Sequence, residues 1–161
     1  MKSIVFLIGL IIMTATADLA TVRQKYILAK DSAKETEELY TLLEKMPDDS
    51  ADNTMIAYKA ASLTLRAKHE KGLLNKKKLF TQGVKLLEAV VKRDANNYEV
   101  RVLRLGIQEN APKITGYNKD IQNDKAFLIK NYSTQKADLK AFTFGFIKIS
   151  KLFTKEEKSA F

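Results

Sequence analysis

Two arginines, Arg101 and Arg104, stand in an otherwise apolar run, "YEVRVLRLGIQEN", residues 98–110. A guanidinium offers five donors in a rigid fork that suits carboxylates and phosphates. Projected at about 100° per residue, Asn97, Arg101, Arg104 and Gln108 fall within a band of about 60°. Tyr98, Val100, Val102, Leu103, Leu105, Gly106 and Ile107 occupy nearly all the rest. Such a helix is buried on most sides, and an unpaired buried charge is very costly, so the arginines need acceptors. Asp120 and Asp124 follow a loop, containing Pro112 and Gly116, of the right length to fold back. Two readings follow. In the favoured one, an Arg–Asp lattice locks the next helix onto this one. Gln108 and Asn110 then bond the loop backbone, and Tyr117 packs over the turn. In the other, Arg101 and Arg104 face a groove and hold a carboxylate or phosphate.

A second candidate is Lys76, Lys77 and Lys78, in "NKKKLF". With Asn75 as cap they fall in the first turn of a helix, where the dipole disfavours cations by about 0.3–1 kcal/mol. They are read either as an anion contact or, preferably, as long solvated side chains that hardly feel the dipole. His69 is the one histidine, flanked by Lys68 and Glu70, with no nucleophile or further ligands at helical spacing. It reads as a helix-end residue facing the dipole. Asp31, Glu35 and Glu38 interleave with Lys30 and Lys34, which marks a solvated salt-bridge face. "PDDSAD" lacks the glycine and closing glutamate of a calcium loop. With one histidine, no cysteine and no carboxylate pair in context, no catalytic residue, metal site or cofactor is expected, and the chain reads as a non-enzyme.

These side chains are carried by helices. The first is predicted over Ala20 to Met46, weakened near Asp31-Ser32 and ended by Pro47. The second spans about Asn53 to Lys71 and carries a seam of small residues, Ala57, Ala60, Ala61, Thr64 and Ala67, with Gly72 as its stop. The third spans Lys76 to Arg93, the fourth Asn97 to Glu109, and the fifth starts at Asn118 or Asp120 and runs to Tyr132. Ser133 is expected to cap a sixth, whose Leu139, Phe142, Phe146, Ile149 and Phe153 step by 3 and 4 along one face. Thr154 with Glu157 forms a capping-box pattern ahead of a short last turn.

The first 17 residues have the layout of a cleaved secretory signal. Lys2 precedes an apolar run of ten, Ile4 to Met13, and "ATA" precedes Asp18. The run is half the roughly 20 residues a membrane span needs. Absence of cysteine excludes a lipoprotein anchor and a disulfide framework, and favours a bacterial periplasm or outer surface, the periplasm first. Residues 18–161 then form one domain. The formal charge of +9 less the one at Lys2 leaves +8. In an exported protein that excess points away from nucleic acid. It points either to an acidic partner or anionic lipid, or to plain solubility, which is favoured.

"KLLEAVVKRDANNYEVRVLRL", residues 85–105, resembles the joint between two tetratricopeptide repeats. Asp94, Asn96 and Asn97 stand at the inter-repeat turn, with Ala95 where the family has proline. Leu87 and Val90 stand at apolar positions of its second helix. The resemblance covers about 20 residues, without a second copy at the repeat spacing. It implies antiparallel helical hairpins and a partner-binding role. The chain as a whole resembles short exported helical proteins of bacteria.

The expected architecture is all-α, five to seven helices in antiparallel hairpins, as a short tetratricopeptide-like array or a bundle. The expected role is a non-enzymatic interaction or scaffolding module with a protein partner in the cell envelope. An exposed groove lined by Arg101, Arg104, Tyr58 or Tyr98 would serve that role. The alternative is peripheral binding to anionic envelope lipid. The Lys-rich faces and the last long helix, with Lys136, Lys140, Lys148 and Lys151, would carry it.

Overall fold

The computed structural model describes residues 17–161. Helices α1 (Leu19–Ala29), α2 (Ala33–Leu43), α3 (Asn53–His69), α4 (Leu73–Arg93), α5 (Tyr98–Asn110), α6 (Ile121–Asn131), α7 (Ala137–Ile149) and the short α8 (Lys155–Lys158) follow one another, with 3-10 turns at Lys113–Thr115 and Tyr132–Thr134. No strand occurs among the described residues, so the fold is all-α. The expected export segment lies, apart from Ala17, outside them.

Cross-helix bonds show the antiparallel course. Lys25 meets Glu38 across α1 and α2, and Arg66 meets Glu37 across α2 and α3. Asn53 meets Asp94 at one end of the α3–α4 pair, while Lys76 meets Lys68 at the other. Arg104 meets Glu88 on α4 and Asp124 on α6. Alternate helices touch as well: α1 with α3, α3 with α5, α5 with α7. One apolar core runs through α1 to α5, and a second joins α5, α6, α7 and Phe153.

The small-residue seam of α3 is what α4 packs against. Ala57, Ala60, Ala61 and Ala67 are buried, and a Cβ added at Gly83 would lie 2.6 Å from the Ala60 carbonyl oxygen. Only glycine admits that approach, and small side chains on the facing helix make it possible.

Several boundaries differ from expectation. The first predicted helix is two, because the Ser32 hydroxyl accepts from the Glu35 N–H at 3.2 Å and starts α2 afresh. Thr36 Oγ1 also donates to the Ala29 carbonyl at 2.8 Å, closing the bend. Gly72 stands before α4 as its cap, and α3 already ends at His69. Glu70 there accepts from the N–H groups of Lys71 and Gly72. α4 therefore begins at Leu73, not Lys76, and Lys76 to Lys78 lie beyond its first three residues, where the dipole has faded. Ser133 sits in a 3-10 turn and α7 starts at Ala137. The predicted face of α7 also shifts. Thr143, Phe146 and Ile147 are buried, Ile149 is 71% exposed, and Phe153 lies beyond the helix end. The capping box at Thr154 and Glu157 is formed, and Glu157 also pairs with Lys125 at 2.9 Å.

Candidate functional site

The polar stripe of α5 meets the downstream acids. Arg104 donates Nε and Nη2 to the two oxygens of Asp124, both at 2.7 Å, in a bidentate pair. Arg101 Nη1 reaches Asp124 at 3.0 Å, and Gln108 Nε2 donates to it at 3.1 Å. Asp124 is fully buried and so receives two guanidiniums and an amide. Asp120, which stands just before α6 without a capping side-chain bond, lies 3.9 Å from Arg104 and is the weakest member. The lattice also takes in Glu88 of α4, which the sequence did not suggest. It accepts from Arg104 at 3.1 Å and from the Tyr117 hydroxyl. Burial works to lower the Arg104 pKa, but Asp124, Glu88 and Asp120 outweigh it and hold it above its ordinary value. Burial first, then Glu88, pushes the Tyr117 hydroxyl upward.

Other members of the stripe act elsewhere. Asn97 caps α5 by accepting from the Val100 N–H and donates to Thr54 and Asp94. Asn110 donates to the Gly106 carbonyl of its own helix and not to the loop. Arg101 lays its guanidinium over the Phe127 ring at 5.0 Å. Tyr117 meets Phe80 edge-on at 6.1 Å. Among the described residues, Arg101, Arg104, Tyr58 and Tyr98 do not line the large groove described below; the carboxylates of α4 and α6 occupy the two arginines, and both tyrosines are buried.

A second buried network was not foreseen. Arg23 of α1 grips Glu99 with Nε and Nη2, both at 2.7 Å. Tyr58 of α3 donates its hydroxyl to the same carboxylate at 2.6 Å, and Arg23 Nη1 reaches Asp138 of α7 at 2.6 Å. Glu99 above all holds the Arg23 pKa up. Burial, then Glu99, raises that of Tyr58. The signal was present: Glu99 lies on the apolar side of α5, opposite the stripe, where a carboxylate must have a cation.

The open feature is a groove of about 1250 Å³. Tyr26 of α1, Phe80 and Val84 of α4, Val102, Leu103 and Ile107 of α5, and Phe142 and Phe146 of α7 give it apolar walls. Gly106 forms part of its floor, with room for a Cβ 3.6 Å from Phe146 and 3.8 Å from the Tyr26 hydroxyl. Its lysines are Lys30, Lys68, Lys76, Lys77, Lys85 and Lys151, against Asp31 and Glu109. Of the predicted anion-contact trio, Lys76 and Lys77 line it; Lys78 is exposed elsewhere. Leu73, Ile114 and Ile149 stand at its rim, 80%, 97% and 71% exposed. The groove draws on α1, α3, α4, α5, α7 and the α5–α6 loop, so no periodicity within one helix announces it.

His69 ends α3, and its Nε2 is buried without a hydrogen-bond partner among the described residues. Among those residues no three His, Cys, Asp or Glu gather as a metal site, and no helix is long and apolar enough to cross a membrane. No known protein family, curated protein or solved structure matches the chain.

Proposed function

We propose that this protein is a non-enzymatic interaction module of the bacterial periplasm, and that the groove is its working surface. The groove itself carries the reading. It exceeds the roughly 300–1,000 Å³ usual for small-molecule sites, it is apolar in depth, and it opens between lysines. The signal-like start of the sequence and the lack of cysteine support an envelope location. The stacked antiparallel hairpins, and the resemblance of residues 85–105 to a tetratricopeptide joint, support binding over catalysis. Fold likeness alone is a poor warrant for function, so the groove and not the likeness bears the argument. The partner comes from the cell envelope, as a protein or an anionic lipid.

The test is retention from an envelope extract on immobilised protein, compared with a Gly106→Trp variant whose indole fills the floor. Material held by the first and lost by the second places binding in the groove. Equal retention by both removes the groove from the function.

A second reading has its own observation. α7 carries Phe144, 46% exposed, flanked on the same face by Lys140 and Lys148, as an interfacial helix does. Peripheral attachment to anionic envelope lipid then predicts vesicle binding that weakens with salt. No binding to phosphatidylglycerol vesicles at low salt would sink it.

A further inference from the structure

The groove is polarised. Antiparallel packing brings the C-terminal ends of α1, α3 and α5 and the N-terminal end of α4 to one side of the molecule. There Lys68 Nζ donates to the Lys30 carbonyl, and Lys76 Nζ to the Lys68 carbonyl at 3.5 Å. The Lys151 N–H donates to Glu109 at 2.7 Å, and Glu109 lies close enough to Lys30 to act on its charge. Five of the six groove lysines thus gather at one mouth, and only Lys85 stands two and a half turns further along α4.

Two of the five are engaged by the protein. Lys68 and Lys76 bond carbonyls near the end of α1 and at the end of α3, and Lys68 also lies 3.6 Å from Asp31. That is ordinary capping of helix ends. Lys30, Lys77 and Lys151 differ. Among the described residues their ammonium groups have neither a carboxylate within 4.0 Å nor a carbonyl acceptor. Lys30 is half-buried, with its ammonium 5.3 Å from the centre of the Tyr26 ring. Burial lowers its pKa, as expected of a cation short of counter-charge, and nearby Asp31 and Glu109 only partly oppose this. A bound anion would relieve the deficit.

Away from that mouth the walls turn apolar. Val84 lies eight residues beyond Lys76 on α4, and Val102 lies seven before Glu109 on α5, so the apolar part extends about 10–12 Å inward. Charge at one end and apolar depth behind it complement a ligand with one anionic head and one tail. An amphipathic helix would call for charge along its length, and among the groove lysines only Lys85 stands there.

We propose that the groove holds a single-chain anionic amphiphile, with its acyl chain along α4 and α5 and its head between Lys30, Lys77 and Lys151. The proposal rests on the groove being the working surface. A fatty acid and a lysophospholipid share this chemistry, through a carboxylate or a phosphate head.

Displacement of dansyl-labelled undecanoic acid from the purified protein tests it, with each competitor kept below its critical micelle concentration. Palmitate, lysophosphatidylglycerol or both should displace the probe, and the tighter of the two identifies the source of the head. Each buried methylene strengthens binding by about fourfold, and a depth of about 10–12 Å takes roughly eight to ten carbons, so hexanoate should bind at least about tenfold more weakly than laurate. Hexadecyltrimethylammonium, with the same tail and the opposite head, should be weaker by at least about tenfold. A Lys30→Gln/Lys77→Gln/Lys151→Gln variant, with its fold checked by circular dichroism and thermal midpoint, should lose at least about tenfold for palmitate. It leaves the core intact, so the test does not depend on whether Gly106→Trp folds. No displacement by either anion overturns the proposal, and so does equal binding of the cationic amphiphile or an unaffected triple variant. Tighter binding of an acidic amphipathic peptide than of both anions would overturn it too. If these fail while envelope material still binds only in the wild-type groove, the occupant is wrong and the groove reading stands.

Discussion

The α5 helix carries an arginine network on each side, and the two are built differently. On one side, Asp124 is a fully buried carboxylate shared by Arg104, Arg101 and Gln108. On the other, Arg23 is the shared group, holding buried Glu99 and the exposed Asp138. In the first an anion is surrounded by cations; in the second a cation bridges two anions, one of them in solvent. Removing the buried carboxylate should therefore hurt more on the Asp124 side, where half-buried Arg101 loses its carboxylate, buried Gln108 loses its acceptor, and Arg104 keeps only the part-exposed Glu88 and the more distant Asp120.

The largest expected effect tests that asymmetry directly. Asp124→Ala should cost about 3–5 kcal/mol by urea unfolding. Arg104→Met combined with Asp124→Leu should recover much of it, because it removes the charges as well as the pair. Next, Glu99→Ala should cost about 2–3 kcal/mol, at or below the usual range, since Arg23 keeps Asp138. A loss equal to that of Asp124→Ala would break the comparison. Smaller again, Tyr58→Phe should cost about 1–2 kcal/mol, because it takes a hydrogen bond from a buried carboxylate. Tyr117→Phe should cost less, because its acceptor Glu88 is 39% exposed.

The smallest effect is in pH. Arg23 holds the Asp138 carboxyl below the ordinary aspartate value of 3.8. Its folded pKa is depressed, so its contribution is present above pH 3.8 and fades as pH falls through the folded value. The wild type and Asp138→Asn should differ in urea midpoint by a constant amount from pH 7 to 5, and the gap should close below about pH 3.8. A gap that does not narrow at all between pH 5 and pH 2 would mean the contact is not ionic.

The same pair of networks shows what could be read in advance. The Asp124 lattice joins neighbouring helices, with its ion-pair partners 16 to 23 residues apart and a stripe at helical spacing to flag it. The Arg23 network spans 76 and 115 residues between elements that meet only in the folded chain. Arg23 also sits on a helix without a clean amphipathic stripe to mark its inner side. Helix type and the α3 seam were legible because they depend on local periodicity. The break at Ser32 showed only as a weak point and the start of α4 not at all, because one hydroxyl and one loop glutamate decide them. The groove mouth was missed for the same reason. Lys76 and Lys77 were seen as a run, but Lys30 and Lys151 join them only through the stacking of hairpins.

Gly106 has a thermodynamic side. It lies within α5, where glycine is about 1 kcal/mol less favourable than alanine, and a methyl would fit there at ordinary contact distance from Phe146. Neither φ nor crowding requires glycine at this place, since among the described residues only Gly116 lies in the left-handed region. The helix is thus weaker than it need be at the point where it floors the groove. Side-chain volume at position 106 acts as a depth gauge. Alanine, valine and leucine in turn should exchange groove depth for helix stability, and set how long a tail the protein accepts.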